Sequence, residues 1–327
     1  MTKPKITFAC TLYDRILPLY LRDVEVEGFE IEFETSYGWQ SVRTIFDRVG
    51  AGTGADVSEM SSSEFIASTA AGTCRHVALP VFPSRAFRSG YTFINADTIR
   101  KPKDLEGKRI GVPLYTMSAA IAARGHLSDE YGVDFDACEW VQGAMNDAGA
   151  HGSPTVPPLL KPTRIANNHS GKSLSQLLEA GELDAVLGAI TPDAFGRDRR
   201  IQRLFPDFKD VELQYFKRKR IFPIMHTIVI KRAVHEQHPT LAQALYTALT
   251  RSKQLALDRF MDVGSLQYMI PWLMRDVDEI KDVFDGDPWP YGVEANRPTL
   301  EAMTRWLYEQ GLTASKQRVD DLFLPVR

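Results

Sequence analysis

Three features of this sequence predict a two-lobed α/β protein. Strand-like and helix-like runs alternate along the chain, 327 residues make about two domains, and the order of elements lets one lobe be built from both chain ends. Each lobe is expected to be a mainly parallel sheet flanked by helices, with a ligand cleft between the lobes, since open α/β sheets bind ligands beyond the carboxyl ends of their strands. Apolar residues make up 44% of the chain, enough for each lobe to bury a core without a disulfide or structural metal. Lys plus Arg (39) nearly balances Asp plus Glu (42), so the charge points to neither nucleic acid nor an anionic membrane.

The elements follow in order. Ile6–Cys10 reads as the first strand and Ile16–Leu21 as a helix; Ala55–Met60 is a strand leading into a helix over Ser61–Ala71. Lys108–Val112 precedes a helix over Ser118–Tyr131, with Gly132 placed to stop it. Ser173-Leu-Ser-Gln is a capping-box pattern opening a helix to Ala180; Gly181 ends it before the apolar run Ala185–Ile190. Thr227–Ile230 is a short β-branched strand, and Leu241, Leu245, Ala248 and Leu255 line one face of a long helix. Val49–Gly54 is expected to be a flexible loop, and Gly143–Gly171, rich in Gly, Pro, Asn and Ser, an irregular stretch long enough to be functional.

The chain is expected to leave the first lobe near Tyr91–Asn95 and return near Phe216–Phe222, giving a first lobe of 1–94 and 216–327 and an inserted lobe of 95–215. That plan is analogous to type 2 periplasmic binding proteins. The apolar stretch behind the basic start is five residues, short of an export signal, and no run approaches a membrane span, so a cytoplasmic location is expected. Cys10, Cys74 and Cys138 are odd in number and far apart, which predicts reduced, partly buried thiols.

Three strand-to-helix junctions carry polar residues that could meet an anion at a helix N-terminus: Thr11–Arg15, Ser58–Ser63 and Pro113–Ser118. Ser61 and Ser118 also suit plain helix caps. Arg85 and Arg88 place two guanidinium groups among prolines and phenylalanines, a setting that suits two carboxylates on one ligand. His226 heads an apolar strand; its side-chain type titrates near neutral pH, although a lone histidine there is more often a core residue. Other apparent motifs fail. Gly171-Lys-Ser lacks the leading glycine of a P-loop, the glycines at 50, 52 and 54 follow a helix rather than a strand, and His235-Glu-Gln-His238 lacks the zinc spacing.

From first strand to C-terminus the sequence resembles the 4,5-dihydroxyphthalate decarboxylase family. The segments that carry this are Tyr13-Asp-Arg15, Asp56-Val-Ser-Glu-Met-Ser61, Pro80-Val-Phe-Pro-Ser-Arg85 with Phe87-Arg88, Asp104–Pro113, Arg203–Asp207, Ile221-Phe-Pro-Ile-Met-His-Thr227 and Trp289-Pro-Tyr-Gly292. The resemblance implies a binding-protein fold recruited as a lyase, with no organic cofactor, no metal, a small aromatic dicarboxylate as substrate and a homo-oligomeric state. In such chemistry a hydroxyl para to the carboxylate feeds electron density to the carbon bearing it. A general acid protonates that carbon, and loss of carbon dioxide restores aromaticity. The roles expected on this basis give His226 proton donation and Asp14 or Glu59 the base. Arg85 and Arg88 hold carboxylate, helped by Arg15, Ser61, Tyr115 and the helix start at Thr116. A solute-binding protein or a ligand sensor would share the fold and the arginine clamp, and a related hydroxybenzoate would suit the same chemistry; turnover separates these readings.

Overall fold

The computed structural model describes residues 2–36 and 38–327, with backbone alone for 36 and 38–41. The chain runs β1 (Lys5–Thr11), α1 (Leu17–Tyr20), β2 (Glu30–Ser36), α2 (Gly38–Ala51), β3 (Val57–Ser61), α3 (Ser62–Ala70) and β4 (His76–Arg85). It continues through β5 (Thr92–Asn95), β6 (Arg109–Val112), α4 (Ser118–Tyr131), β7 (Glu139–Gln142), β8 (Arg164–Asn167), α5 (Leu174–Glu179), β9 (Ala185–Leu187), β10 (Ile201–Arg203) and α6 (Phe208–Lys219). It closes with β11 (Ile224–Lys231), α7 (Arg232–Gln237), α8 (Leu241–Met261), α9 (Leu273–Phe284) and α10 (Arg297–Glu309). The strands form two sheets, β2-β1-β3-β11-β4 and β10-β5-β9-β6-β7-β8. Both sheets are mixed: β11 runs against its neighbours in the first, and β5 in the second. These two strands begin where the chain crosses from one sheet to the other. A strand arriving from the facing sheet needs no crossover helix, and so need not lie parallel.

Most expected elements lie where the hydrophobic pattern puts them. The capping box forms, with Ser173 Oγ accepting from Gln176 N at 3.1 Å and Gln176 Oε1 accepting from Ser173 N at 2.8 Å. Gly132 ends α4 in the left-handed conformation, φ 62°, which glycine adopts without strain. All three cysteines are free, with Cys10 and Cys138 buried.

Two irregular stretches need correction. α2 continues through Val49, Gly50 and Ala51, so only the end of the expected Val49–Gly54 loop leaves the helix. The stretch Gly143–Gly171 contains β8, a mostly exposed edge strand whose Arg-Ile-Ala-Asn has no apolar run to reveal it. β4 also escaped a strand reading, because it carries Pro80 and Pro83. It lies at the sheet edge, where a residue with no N–H to donate is tolerated.

Helices α1 and α8 cover one face of the first sheet, burying Ile16, Leu19, Leu241, Leu245 and Leu249 against Phe8 and Ile228. A further core is shared by both sheets' elements and includes Phe46, Met60, Ala119, Met225 and Trp306. α10 lies on α4 there, and a Cβ added at Gly125 would fall 2.3 Å from the Trp306 indole. Close helix approach needs glycine at this point. Among the described residues no helix is long and apolar enough to cross a membrane.

Candidate active site

β3 and β11 are neighbouring antiparallel strands, and their register places His226 opposite Ser61, two residues from Glu59 on β3. Glu59 is fully buried, yet its carboxylate is well supplied with donors. His226 Nδ1 lies 2.5 Å from Oε1, and the Tyr13 hydroxyl donates to the same oxygen at 2.7 Å. Oε2 accepts from Thr11 N at 3.0 Å and from Cys10 Sγ at 3.5 Å. Burial would raise the Glu59 pKa, but the His226 charge and these hydrogen bonds outweigh it and hold the group below the usual carboxylate range. An ionised Glu59 accepts from His226 Nδ1–H, leaving Nε2 as the other ring nitrogen. The same charge on Glu59, added to burial, pushes the Tyr13 phenol far above its ordinary range, so it stays a donor.

His226 lines a chamber of about 120 Å³ between the two sheets, of the order of the roughly 150 Å³ apolar cavity that holds a benzene ring. Phe46 from α2 stands edge-on to the imidazole, with ring centres 4.8 Å apart. Arg88 enters from the segment after β4, its Nε 3.3 Å from Met225 Sδ. Burial pulls the Arg88 guanidinium down to about 10, leaving it cationic at neutral pH. The starts of α3 and α4 meet at the chamber, and the hydroxyls of Ser61, Ser63 and Ser118 form a triangle with sides of 3.1–3.2 Å. Ser63 N donates to Ser118 Oγ at 3.0 Å, and Ser63 Oγ donates to Thr116 O at 2.7 Å. Neither Ser61 nor Ser118 caps its own helix; their hydroxyls tie the two lobes together. A cation, a histidine and two helix N-termini make the chamber suitable for an aromatic carboxylate.

The structure thus gathers His226, Ser61 and Arg88 around one chamber, with Glu59 directly behind His226 rather than facing the ligand space. Tyr115 and Thr116 line an adjoining pocket of about 550 Å³. α4 begins at Ser118 rather than Thr116, so Ser118 is the residue whose helix start meets the chamber. Asp14 and Arg15 are elsewhere. The turn after β1 lays Arg15 between the Tyr13 and Trp289 rings, 4.3 and 4.5 Å from their centres, beside an aromatic pocket of about 350 Å³. Arg15 donates from Nε to Pro83 O at 2.7 Å, and Asp14 pairs with it at 2.7 Å. Arg85 does not line the chamber with Arg88. It is 7% exposed, stacks 4.7 Å over Phe222 and donates to Phe222 O at 2.9 Å. One expected guanidinium thus lies against Phe222 at the end of β4, outside the chamber lining, whereas Arg88 follows in the segment after the strand.

Two lining residues had no sequence signal. Arg43 of α2 is 6% exposed and bonded to buried Glu64 at 2.7 Å and to Asp47 at 2.8 Å. His151 lies in the irregular stretch and borders both the chamber and the adjoining pocket. Tyr13 stood in a recognised segment but was not assigned a site role; its contact with Glu59 joins residues 46 apart. Among the described residues no group of three or more His, Cys, Asp or Glu side chains could hold a metal ion.

Comparison with known proteins adds three findings. The chain is 33% identical over 327 residues to a 4,5-dihydroxyphthalate decarboxylase of Comamonas testosteroni, covering 99% of this chain and 98% of that one. It is 36% identical over 196 residues to a protein of the same name from Pseudomonas putida, covering 60% of this chain and 74% of that one. In fold it is similar to the periplasmic aliphatic sulphonate binding protein of Escherichia coli, with a TM-score of 0.54, 12% identity and 98% of each chain covered. No family model matches the chain.

Proposed function

The chain belongs to the 4,5-dihydroxyphthalate decarboxylase family, and from that premise we propose that it converts 4,5-dihydroxyphthalate to protocatechuate and carbon dioxide in phthalate catabolism. The observation that carries the mechanism is the His226–Glu59 pair, with its 2.5 Å contact, at the wall of a chamber that also holds Arg88.

In this reading Arg88 and the N-terminal turns of α3 and α4 hold the carboxylates. Glu59 holds the Nδ1–H of a doubly protonated His226, and its Nε2–H is the proton delivered to the ring carbon bearing the departing carboxylate. The carbon–carbon bond then breaks, its electron pair restores the aromatic ring, and carbon dioxide leaves. Positioned acid–base help of this kind is worth about 10²–10⁴ in rate. Glu59 is a positioning residue here, since it reaches the ligand only through the imidazole.

We place the reaction in the cytoplasm and without an organic cofactor or metal; the three free thiols fit a reducing compartment. The test incubates the protein with 4,5-dihydroxyphthalate, with and without a chelator, and follows carbon dioxide release and protocatechuate absorbance. Equal turnover in both arms is expected. Tight binding with no turnover would make the chain a receptor, and loss of turnover on chelation would refute the metal-free reading.

A further inference from the structure

After β7 the chain crosses from the second sheet to α2 of the first lobe. Ser153 N donates to Asp47 Oδ2 at 3.0 Å, and a Cβ on Gly152 would lie 2.6 Å from Arg43 Cγ, so the backbone presses directly on the Arg43–Asp47 pair. Farther along, Leu160 N donates to Gly311 O at 2.7 Å. This clasp lays His151 into the chamber wall, where the chamber of about 120 Å³ meets the pocket of about 550 Å³.

The decarboxylation chemistry needs a group that takes the proton of the ring hydroxyl. Glu59 and Asp14 do not line the chamber. Among the described residues its titratable side chains are Arg43, Arg88, His226 and His151. The two guanidinium groups accept no proton, and Arg43 is already engaged by Glu64 and Asp47. His226 is the donor. We infer that His151 faces the ring hydroxyl para to the departing carboxylate and accepts its hydrogen. Burial, with Arg43 adding to it and Asp47 opposing, brings the His151 pKa down to about 4, so the ring is neutral and able to accept at physiological pH.

The step balances. His226 Nε2 gives a proton to the ring carbon as the para hydroxyl gives its own to His151, forming a dienone whose tetrahedral carbon carries hydrogen and carboxylate. The bond to the carboxylate breaks, carbon dioxide departs, and the electron pair passes through the ring to the carbonyl oxygen. That oxygen takes the proton back from His151. Solvent reprotonates His226, so one proton is consumed for each carbon dioxide released.

The inference rests on the decarboxylase reading, and its test separates the two. In a His226→Asn background, calorimetry compares 4,5-dihydroxyphthalate with phthalate, which lacks the hydroxyls. The dihydroxy ligand should bind at least about tenfold tighter, because a site built to pair a hydroxyl rejects the analogue without one. Adding His151→Phe should abolish that preference. His151→Gln, whose amide oxygen still accepts a hydrogen bond, should keep it. With His226 intact, His151→Gln should lower kcat about a hundredfold and leave KM within about threefold. An undiminished hydroxyl preference in the Phe variant, or wild-type kcat in the Gln variant, overturns the assignment. If the unaltered protein does not turn over 4,5-dihydroxyphthalate while His151→Phe still removes the preference, the decarboxylase reading falls and the contact stands.

Discussion

At the scale of single residues the proposed mechanism turns on Glu59, wholly buried with its pKa held low, and on His226, which borders the chamber. His226→Asn is expected to cut turnover at least about a hundredfold while binding is largely kept; a steady-state assay with calorimetry checks it, and wild-type turnover would remove His226 from the mechanism. Arg88→Ala should raise KM about tenfold or more with a smaller effect on kcat, since a charged hydrogen bond to a carboxylate is worth about 1.5–3 kcal/mol. The lowered Glu59 pKa also makes a stability prediction. A carboxylate held below its ordinary value contributes stability that is present above that value and lost as pH falls through the folded one. The melting-temperature gap between the protein and Glu59→Gln should therefore be widest near neutral pH and narrow as pH falls below the ordinary glutamate value of about 4.3. A gap independent of pH would show that Glu59 is not ionised in the fold. Of these residues His226, Glu59 and Arg88 were legible in the sequence from residue type and segment. Arg43 and His151 were not, because a surface-type arginine on a helix and a histidine in a glycine-rich loop look like solvent-facing residues until the fold covers them.

At the scale of elements, α4 and α10 meet so closely that one hydrogen atom's space decides the contact. Gly125→Ala favours the helix by about 1 kcal/mol through propensity, but the new methyl would overlap the Trp306 indole at 2.3 Å. The clash should win, with a net loss of about 1–3 kcal/mol in denaturant unfolding. A neutral or stabilising result would mean that α10 can slide away freely. The serine triangle works in the same region. It joins the starts of α3 and α4 through hydroxyls from both lobes, a pairing no local pattern announces because Ser61 and Ser118 are 57 residues apart. β4 shows the opposite case, where the local pattern misleads: Pro80 and Pro83 argue against a strand, and only the strand order shows that β4 sits at an edge.

At the scale of the whole molecule, burial leaves three histidines neutral. His76, His126 and His151 are each brought down to about 4, with burial the largest cause in every case. Each group binds its proton less readily in the folded chain than in the unfolded one, so stability should fall as pH drops from about 6.5 to about 4. His126 packs among the rings of Tyr131, Phe205 and Tyr215. His126→Phe should flatten the decline in that window; an unchanged slope would show that His126 is charged in the fold.

The order of hydrophobic runs and turn residues was enough to establish the α/β class and the main helices and strands, because periodicity and capping act over a few neighbouring residues. Recognisable segments were enough to indicate the family. Which of their polar side chains share one chamber was decided by tertiary structure. Arg85 and Arg88 are three residues apart and part ways at the end of β4, whereas Glu59 and His226 are 167 residues apart and touch. Strand register and the crossing between two lobes set those distances, and neither is written in any local stretch of chain.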